Sequence, residues 1–202
     1  MRKMLALAVL SFVPVAWSAT APQDARSKLK DGTTALHFAV HDGDLALATR
    51  LIKEGADVNA RNDYGSTPMQ EAAERGDVAL IGLLLKSKAD VESPNDEGET
   101  ALMTVARTGN VEAARLLLKA GAKVNAVEQW RGQTALMWAA AQGNPDMVRL
   151  LLKSGARPDA VSFVRDWARK VTAEPRPQNR PPGGFTALLL AAREGCAGCA
   201  RA

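Results

Sequence analysis

GTTALH at residues 32–37, GSTPMQ at 65–70, GETALM at 98–103 and GQTALM at 132–137 are one phrase written four times, and GFTALL from residue 184 is a fifth copy. Their threonines, Thr34, Thr67, Thr100, Thr134 and Thr186, fall at intervals of 33, 33, 34 and 52 residues. A unit of this size cannot bury both sides of its own apolar surface, so such units stack and share their cores with their neighbours. The period, more than any local motif, sets the expected architecture: an all-α solenoid of stacked helix-turn-helix units with extended fingers.

Each threonine can cap a helix, its hydroxyl accepting a hydrogen bond from a free N–H of the first turn. Pro68 follows Thr67 at the first helical position, where its missing N–H costs nothing, and Ala35, Ala101, Ala135 and Ala187 take that place elsewhere. Gly43, Gly76, Gly109, Gly143 and Gly195 recur nine residues after the threonines, allowing a left-handed exit, so the first helix is short. A second helix follows. Its apolar stripe runs through Leu45, Leu47, Leu51 and Ile52 in unit one, then Val78, Ile81, Leu84 and Leu85, then Val111, Ala114, Leu117 and Leu118, then Met147, Val148, Leu151 and Leu152. GADVNA at 55–60 and GAKVNA at 121–126 close that helix and lead through a finger to the next threonine. Alanines at 72, 73, 106, 139, 140, 191 and 192 suit close approach between helices.

Taken in phase, the TPLH-like turn, the paired alanines, the glycine, the leucine run and GADVNA resemble the ankyrin repeat. The resemblance covers residues 31–160 as four units, with an incomplete fifth at 183–202. It implies an L-shaped stack whose fingers and first helices line a concave groove, and a protein that binds partner proteins without catalysing a reaction. The sequence departs from the pattern at Lys88, where Gly55, Gly121 and Gly155 stand in other units, and at Glu92 and Asp159, which replace the asparagine seen as Asn59 and Asn125. It departs again at Met69, Gln70, Met103 and Met137, where Leu or His is frequent.

Ahead of the array, Arg2 and Lys3 precede an apolar run over residues 4–17, followed by Ser18, Ala19 and Ala21. This is the layout of a secretory signal peptide, expected over residues 1–21 with cleavage near 18–21; the run is short for a spanning helix, and an uncleaved anchor is the alternative. Residues 22–30 read as a linker. Export to a bacterial periplasm or the extracellular space is expected. The net charge of +4 falls to +2 without Arg2 and Lys3, and the four Trp, one Tyr and four Phe form no basic-aromatic strip. No nucleic-acid partner is expected on that balance.

The last interval carries 19 residues beyond the 33-residue period, around residues 161–182. Phe163, Val164, Trp167, Ala168 and Val171 make a short helical stripe, and Pro175, Pro177, Pro181 and Pro182 force an extended path. This reads as a finger enlarged by a helix that packs on the stack, with a partner-binding flap as the alternative. The fifth unit stops before its leucine run, which reads as an array that continues past residue 202 or, failing that, an unusual cap that frays.

Cys196 and Cys199 are the only cysteines. They read as inert thiols, a local disulfide, or a redox or metal pair, with Cys199 at the inward position of Leu47 and Met147. His37 and His41 lack the further ligands that zinc needs. A ring nitrogen of His37 is placed to satisfy backbone groups at its turn, and His41 to stand at the groove edge. HExxH, GxSxG, the phosphate-binding GxxxxGKS/T and GxGxxG are absent, so neither an enzyme nor a cofactor is expected.

The candidate binding residues are Tyr64, Trp130 and Arg131 on fingers and Phe38, His41, Arg107 and Trp138 on first helices, with Trp130, Arg131 and Trp138 at the centre. Large rigid rings beside arginine anchor protein interfaces at small entropic cost. Trp130 is also the extra residue of the 34-residue interval. The expected function is a non-catalytic protein-binding module for an unidentified protein partner, monomeric unless its C-terminal end pairs. The alternatives are a structural or regulatory array of a longer exported enzyme, and a secreted host-directed effector.

Overall fold

The computed structural model describes residues 24–164 and 183–202. Among them lie ten helices in five consecutive pairs: α1 (Ala35–Asp42) and α2 (Leu45–Lys53), α3 (Pro68–Arg75) and α4 (Val78–Lys86), α5 (Ala101–Thr108) and α6 (Val111–Lys119), α7 (Ala135–Ala141) and α8 (Pro145–Lys153), α9 (Ala187–Arg193) and α10 (Ala197–Ala200). The odd helices pack on one another in sequence as one layer, and the even helices as a second. The expected leader at residues 1–21, and Trp167, Ala168, Val171 and the proline path of the insertion, lie outside the described residues.

Each first helix starts at the threonine of its unit. Thr34, Thr67, Thr100, Thr134 and Thr186 accept from the backbone N–H of His37, Gln70, Met103, Met137 and Leu189. Asp44, Asp77, Asn110, Asn144 and Cys196 cap the second helices, and the residue type there decides whether the cap also ties two units together. Asn110 accepts from Ala113 N–H and donates its amide to the Gly76 carbonyl at 2.7 Å; Asn144 caps Met147 and reaches the Gly109 carbonyl at 3.3 Å. Asp77 has no side-chain N–H to give, and Arg75 makes the link instead, donating to the His41 carbonyl at 2.6 Å.

A second set of ties follows the even helices. Asn59 accepts from Asp90 N–H at 2.8 Å and donates to the Lys88 carbonyl at 3.5 Å, and Asn125 does the same with Arg157 N–H at 2.8 Å and the Gly155 carbonyl at 3.0 Å. Glu92, in that register, keeps only the accepting half, from Lys123 N–H at 2.7 Å, because a carboxylate carries no donor. Lys88 takes φ 67°, in the left-handed region its glycine counterparts occupy. An L side chain there costs about 1–2 kcal/mol.

Leu36, Leu51, Leu80, Ile81, Leu84, Leu102, Leu117, Leu136, Met147 and Leu151 are buried between the layers, and Ala72, Ala73, Ala106, Ala139 and Ala140 fill the closest contacts. Each buried leucine contributes about 1.5–3 kcal/mol. Two expectations about packing fail at the ends of the stack. Leu45 is 41% exposed, because α2 has an even-helix neighbour, α4, on one side only. Ala192, read as suited to close helix approach, is exposed because α9 packs on α7 alone within its layer among the described residues, and Leu188 and Leu189 are exposed with it. Ala25, in the stretch read as a linker, is buried against the core, and Leu29 N–H pairs with the Thr33 carbonyl at 2.8 Å, giving the first unit its own finger.

Candidate binding groove

Every finger has the same base. Leu29, Asn62, Asn95, Glu128 and Ser162 donate their N–H to the carbonyls of Thr33, Ser66, Glu99, Gln133 and Phe185, at 2.8 to 3.1 Å. Asn62 Oδ1 then accepts from Tyr64 and Ser66 N–H at 3.1 and 2.9 Å, and Asn95 Oδ1 from Glu97 and Glu99 N–H at the same distances. The fourth finger holds one residue more, and its organising side chain is longer. Glu128 Oε2 accepts from Trp130 N–H at 2.6 Å, Oε1 from Gln133 N–H at 2.9 Å, and both oxygens from Arg131 N–H at 2.8 and 2.9 Å. Only 4% of Glu128 is exposed, while Trp130 stands 50% exposed at the tip. Glu128 was missed in the sequence; its signal is an acid six residues before Thr134, where asparagine stands five before Thr67 and Thr100.

Ser162 opens the fifth finger, its hydroxyl accepting from Phe185 N–H at 2.9 Å, so described residues on both sides of 165–182 belong to that finger. Phe163 locks it to the fourth. Its N–H donates to the Arg131 carbonyl at 2.7 Å, and its ring lies where a Cβ on Gly132 would come within 2.5 Å. Gly132 also has φ +66°, so both the close approach and the left-handed backbone require glycine there.

On the first helices, the position four after each threonine gives Phe38, Glu71, Thr104, Trp138 and Leu190, and the position seven after gives His41, Glu74, Arg107, Ala141 and Arg193. The half nearer unit one is acidic. His41 Nδ1 lies 3.1 Å from Glu71 Oε2, and Glu71 Oε1 accepts from the Ser66 hydroxyl at 2.7 Å. Partial desolvation raises the Glu74 carboxyl above its ordinary pKa; Glu71 and Glu99 add to the effect, while Arg107 and His41 oppose it. Glu74 still has solvent access, so the shift describes a crowded rim rather than an enclosed acid.

His37 is buried, with Nδ1 2.8 Å from Thr34 Oγ1 and Nε2 3.2 Å from the Ser66 carbonyl. Burial lowers its pKa, against the raising effects of the Ser66 carbonyl and the Glu71 and Asp31 charges. Gln70 performs the same reach in unit two, donating to the Glu99 carbonyl at 2.7 Å and the Ser93 carbonyl at 3.2 Å. Its departure from the frequent histidine therefore preserves the link.

The other half of the face holds a cavity of about 950 Å³ whose lining includes Arg107, Trp130, Arg131, Trp138, Phe163, Phe185 and Arg193. The Arg107 guanidinium lies 5.5 Å from the centre of the Trp138 ring and 3.9 Å from Glu99, and that of Arg193 lies 5.9 Å from the Phe185 ring and 2.8 Å from Glu194. Trp138 Nε1 is the one buried side-chain polar atom among the described residues without a hydrogen-bond partner. Of the candidate residues, Trp130, Arg131, Trp138 and Arg107 come together here. Phe38 is half-buried in unit one, His41 is tied to Glu71, and Tyr64 is 74% exposed on the second finger; none of these three lines the cavity. Phe163, Phe185 and Arg193 were not among the candidates, although Arg193 repeats the register of Arg107 and Phe185 immediately precedes Thr186.

Cys196 and Cys199 form a disulfide, with Cys199 at the buried position expected from its register. Among the described residues, no group of three or more His, Cys, Asp or Glu is placed to hold a metal ion, and no helix is long and apolar enough to cross a membrane.

Helix pairs sharing one continuous core and carrying a row of fingers define a repeat solenoid. The family model for ankyrin repeats, in three copies, matches residues 5–95 and 71–162, and the chain belongs to the ankyrin repeat family. No curated protein matches the chain. Ankyrin repeats are generally protein-protein interaction modules and typically non-catalytic.

Proposed function

We propose that this chain is a non-catalytic module that binds another protein through its finger and first-helix face, centred on Trp130, Arg131 and Trp138. The observation that carries this reading is their meeting, with Arg107, in one cavity of about 950 Å³. Aromatic rings and guanidinium groups dominate the energy of many protein interfaces, because they bury large rigid surfaces and retain directional donors. Tyr64, Phe38 and His41 extend the contact surface toward unit one. Partner capture on the full chain, compared with a Trp130→Ala/Arg131→Ala variant of unchanged circular dichroism, tests the reading. A partner held by the wild type and released by the variant is the expected result; equal retention refutes the proposed centre.

The same protein is proposed to work outside the bacterial cytoplasm, in the periplasm or extracellular space. Arg2 and Lys3 ahead of the apolar run support export. So does the Cys196–Cys199 disulfide, since such bonds persist in oxidising compartments. N-terminal sequencing of protein from fractionated cells is expected to start just after the 18–21 region. Met1 retained on a cytosolic protein refutes export.

A further inference from the structure

We infer that the fourth finger, Phe185 at the base of the fifth, and helices α5, α7 and α9 form a subsite for an acidic segment of the partner, in which an Asp or Glu carboxylate docks among Arg107, Arg131 and Arg193 while an adjacent apolar side chain packs on Trp138 and Phe185. This rests on the protein-binding reading and goes further, because it assigns the partner a chemistry and an orientation.

Charge complementarity carries the assignment. The described lining of the cavity has three arginines and a single acid, Glu194, which is engaged by Arg193 at 2.8 Å. Arg131 has no ion pair among the described residues; its backbone is fixed by Glu128 and Phe163, so its exposed side chain projects from a rigid finger. The neighbouring recess is bordered by Glu97, Glu99 and Glu128, but two of these are already occupied. Glu128 accepts three backbone N–H groups, and Glu99 accepts from Thr104 and Asn95 and lies near Arg107. These contacts hold the two carboxylates without removing their charge; among the described residues the positive excess lies in the lining of the larger cavity, three arginines to one acid.

The rings add shape. Arg107 over Trp138 and Arg193 near Phe185 hold guanidinium groups beside apolar surface, an arrangement that suits a carboxylate followed by an aliphatic or aromatic side chain. A lone inorganic anion fills little of 950 Å³ and leaves the rings in water. A long polyanion such as nucleic acid meets Glu71 and Glu74 further along the same rows and is repelled there. A short acidic stretch fits the basic end without reaching the acidic one.

The test uses the full chain in calorimetric titrations with capped ten-residue peptides in which Leu and Phe alternate with Glu, with Gln, or with Lys. Inorganic phosphate and a single-stranded oligonucleotide are the other probes. The Glu peptide is expected to bind at least about tenfold more tightly than the Gln peptide and to weaken as salt rises, with the Lys peptide weakest. Arg131→Gln and Arg193→Gln should each weaken the Glu peptide several-fold, and Trp138→Phe, which offers a smaller ring to the apolar side chain, should do so to a smaller extent. Arg115→Gln, on the exposed side of α6, should leave it unchanged. Equal binding of the three peptides, or phosphate or the oligonucleotide matching the Glu peptide, overturns the acidic subsite. If capture of a partner still depends on Trp130 and Arg131 while the peptides show no charge preference, the binding reading stands and this one falls.

Discussion

Replacing Glu128 by alanine removes the acceptor of three backbone N–H groups at the root of the fourth finger. Hydrogen bonds to a charged group contribute about 1.5–3 kcal/mol each, but a loosened fingertip recovers part of this from water, so the expected loss is about 2–4 kcal/mol. For a chain of this size that corresponds to a fall of roughly 5–15 °C in Tm. The damage should spread to the fifth unit, because the Arg131 carbonyl holds Phe163 N–H. A compensated variant isolates the cause. Deleting Trp130 restores the spacing of the second and third fingers, so Glu128→Asn combined with that deletion rebuilds the Asn62 and Asn95 arrangement and should recover most of the loss. Glu128→Asn alone should not, because its shorter side chain cannot reach across the extra residue. Urea unfolding gives the magnitude, and amide exchange at residues 130–133 locates it. A Glu128→Ala protein within about 0.5 kcal/mol of wild type refutes the reasoning. So does a Trp130 deletion that is tolerated equally well with Glu128 and with asparagine.

Three further outcomes follow from single positions. Lys88→Gly relieves the left-handed backbone at φ 67° and, after the extra chain entropy of glycine, should raise stability by about 0.5–1 kcal/mol in urea; an unchanged or lower midpoint contradicts this. His37 is held neutral by burial, so the unfolded chain, whose histidine titrates near 6.5, takes up a proton more readily than the folded one. Its contribution is complete above that pH and is lost as pH falls toward the folded value, by up to about 1.4 kcal/mol per unit. His37→Gln, copying Gln70, should flatten this part of the stability profile, and an unaltered slope refutes the assignment. Leu117→Ala empties a fully buried site and should cost about 2–5 kcal/mol, with lost exchange protection in α6 and its neighbours α4 and α8; protection lost in α6 alone contradicts the shared core.

Much of the fold was legible because its determinants are local. Thr34 and its four counterparts act on N–H groups three residues away, and the second-helix stripe is a periodicity within nine residues. The groove was legible only in part. Trp130, Arg131, Trp138 and Arg107 were found by residue type and register, whereas Phe163 and Phe185 were not, since the insertion separates them in sequence and only the Ser162 to Phe185 pairing brings them to one finger. Leu188 and Leu189 carry the same pattern as buried counterparts, and Leu45 that of the half-buried Val78 and Val111; all three are exposed because of position in the stack, which no repeat encodes within itself.

The sequence alone determined the unit: its period, its caps, its two helices and the stripe that makes units stack, the caps and the stripe being set by residues close in the chain. The tertiary structure decided which side chains bridge units. His37 and Gln70 reach carbonyls of the next finger, Asn110 and Asn144 reach back to the previous first helix, and Glu92 keeps half of a link that Asn59 makes whole. These partners stand about one period apart in the chain, and hydrogen bonding acts over only about 3 Å, so the contacts exist once the helices have packed and not before.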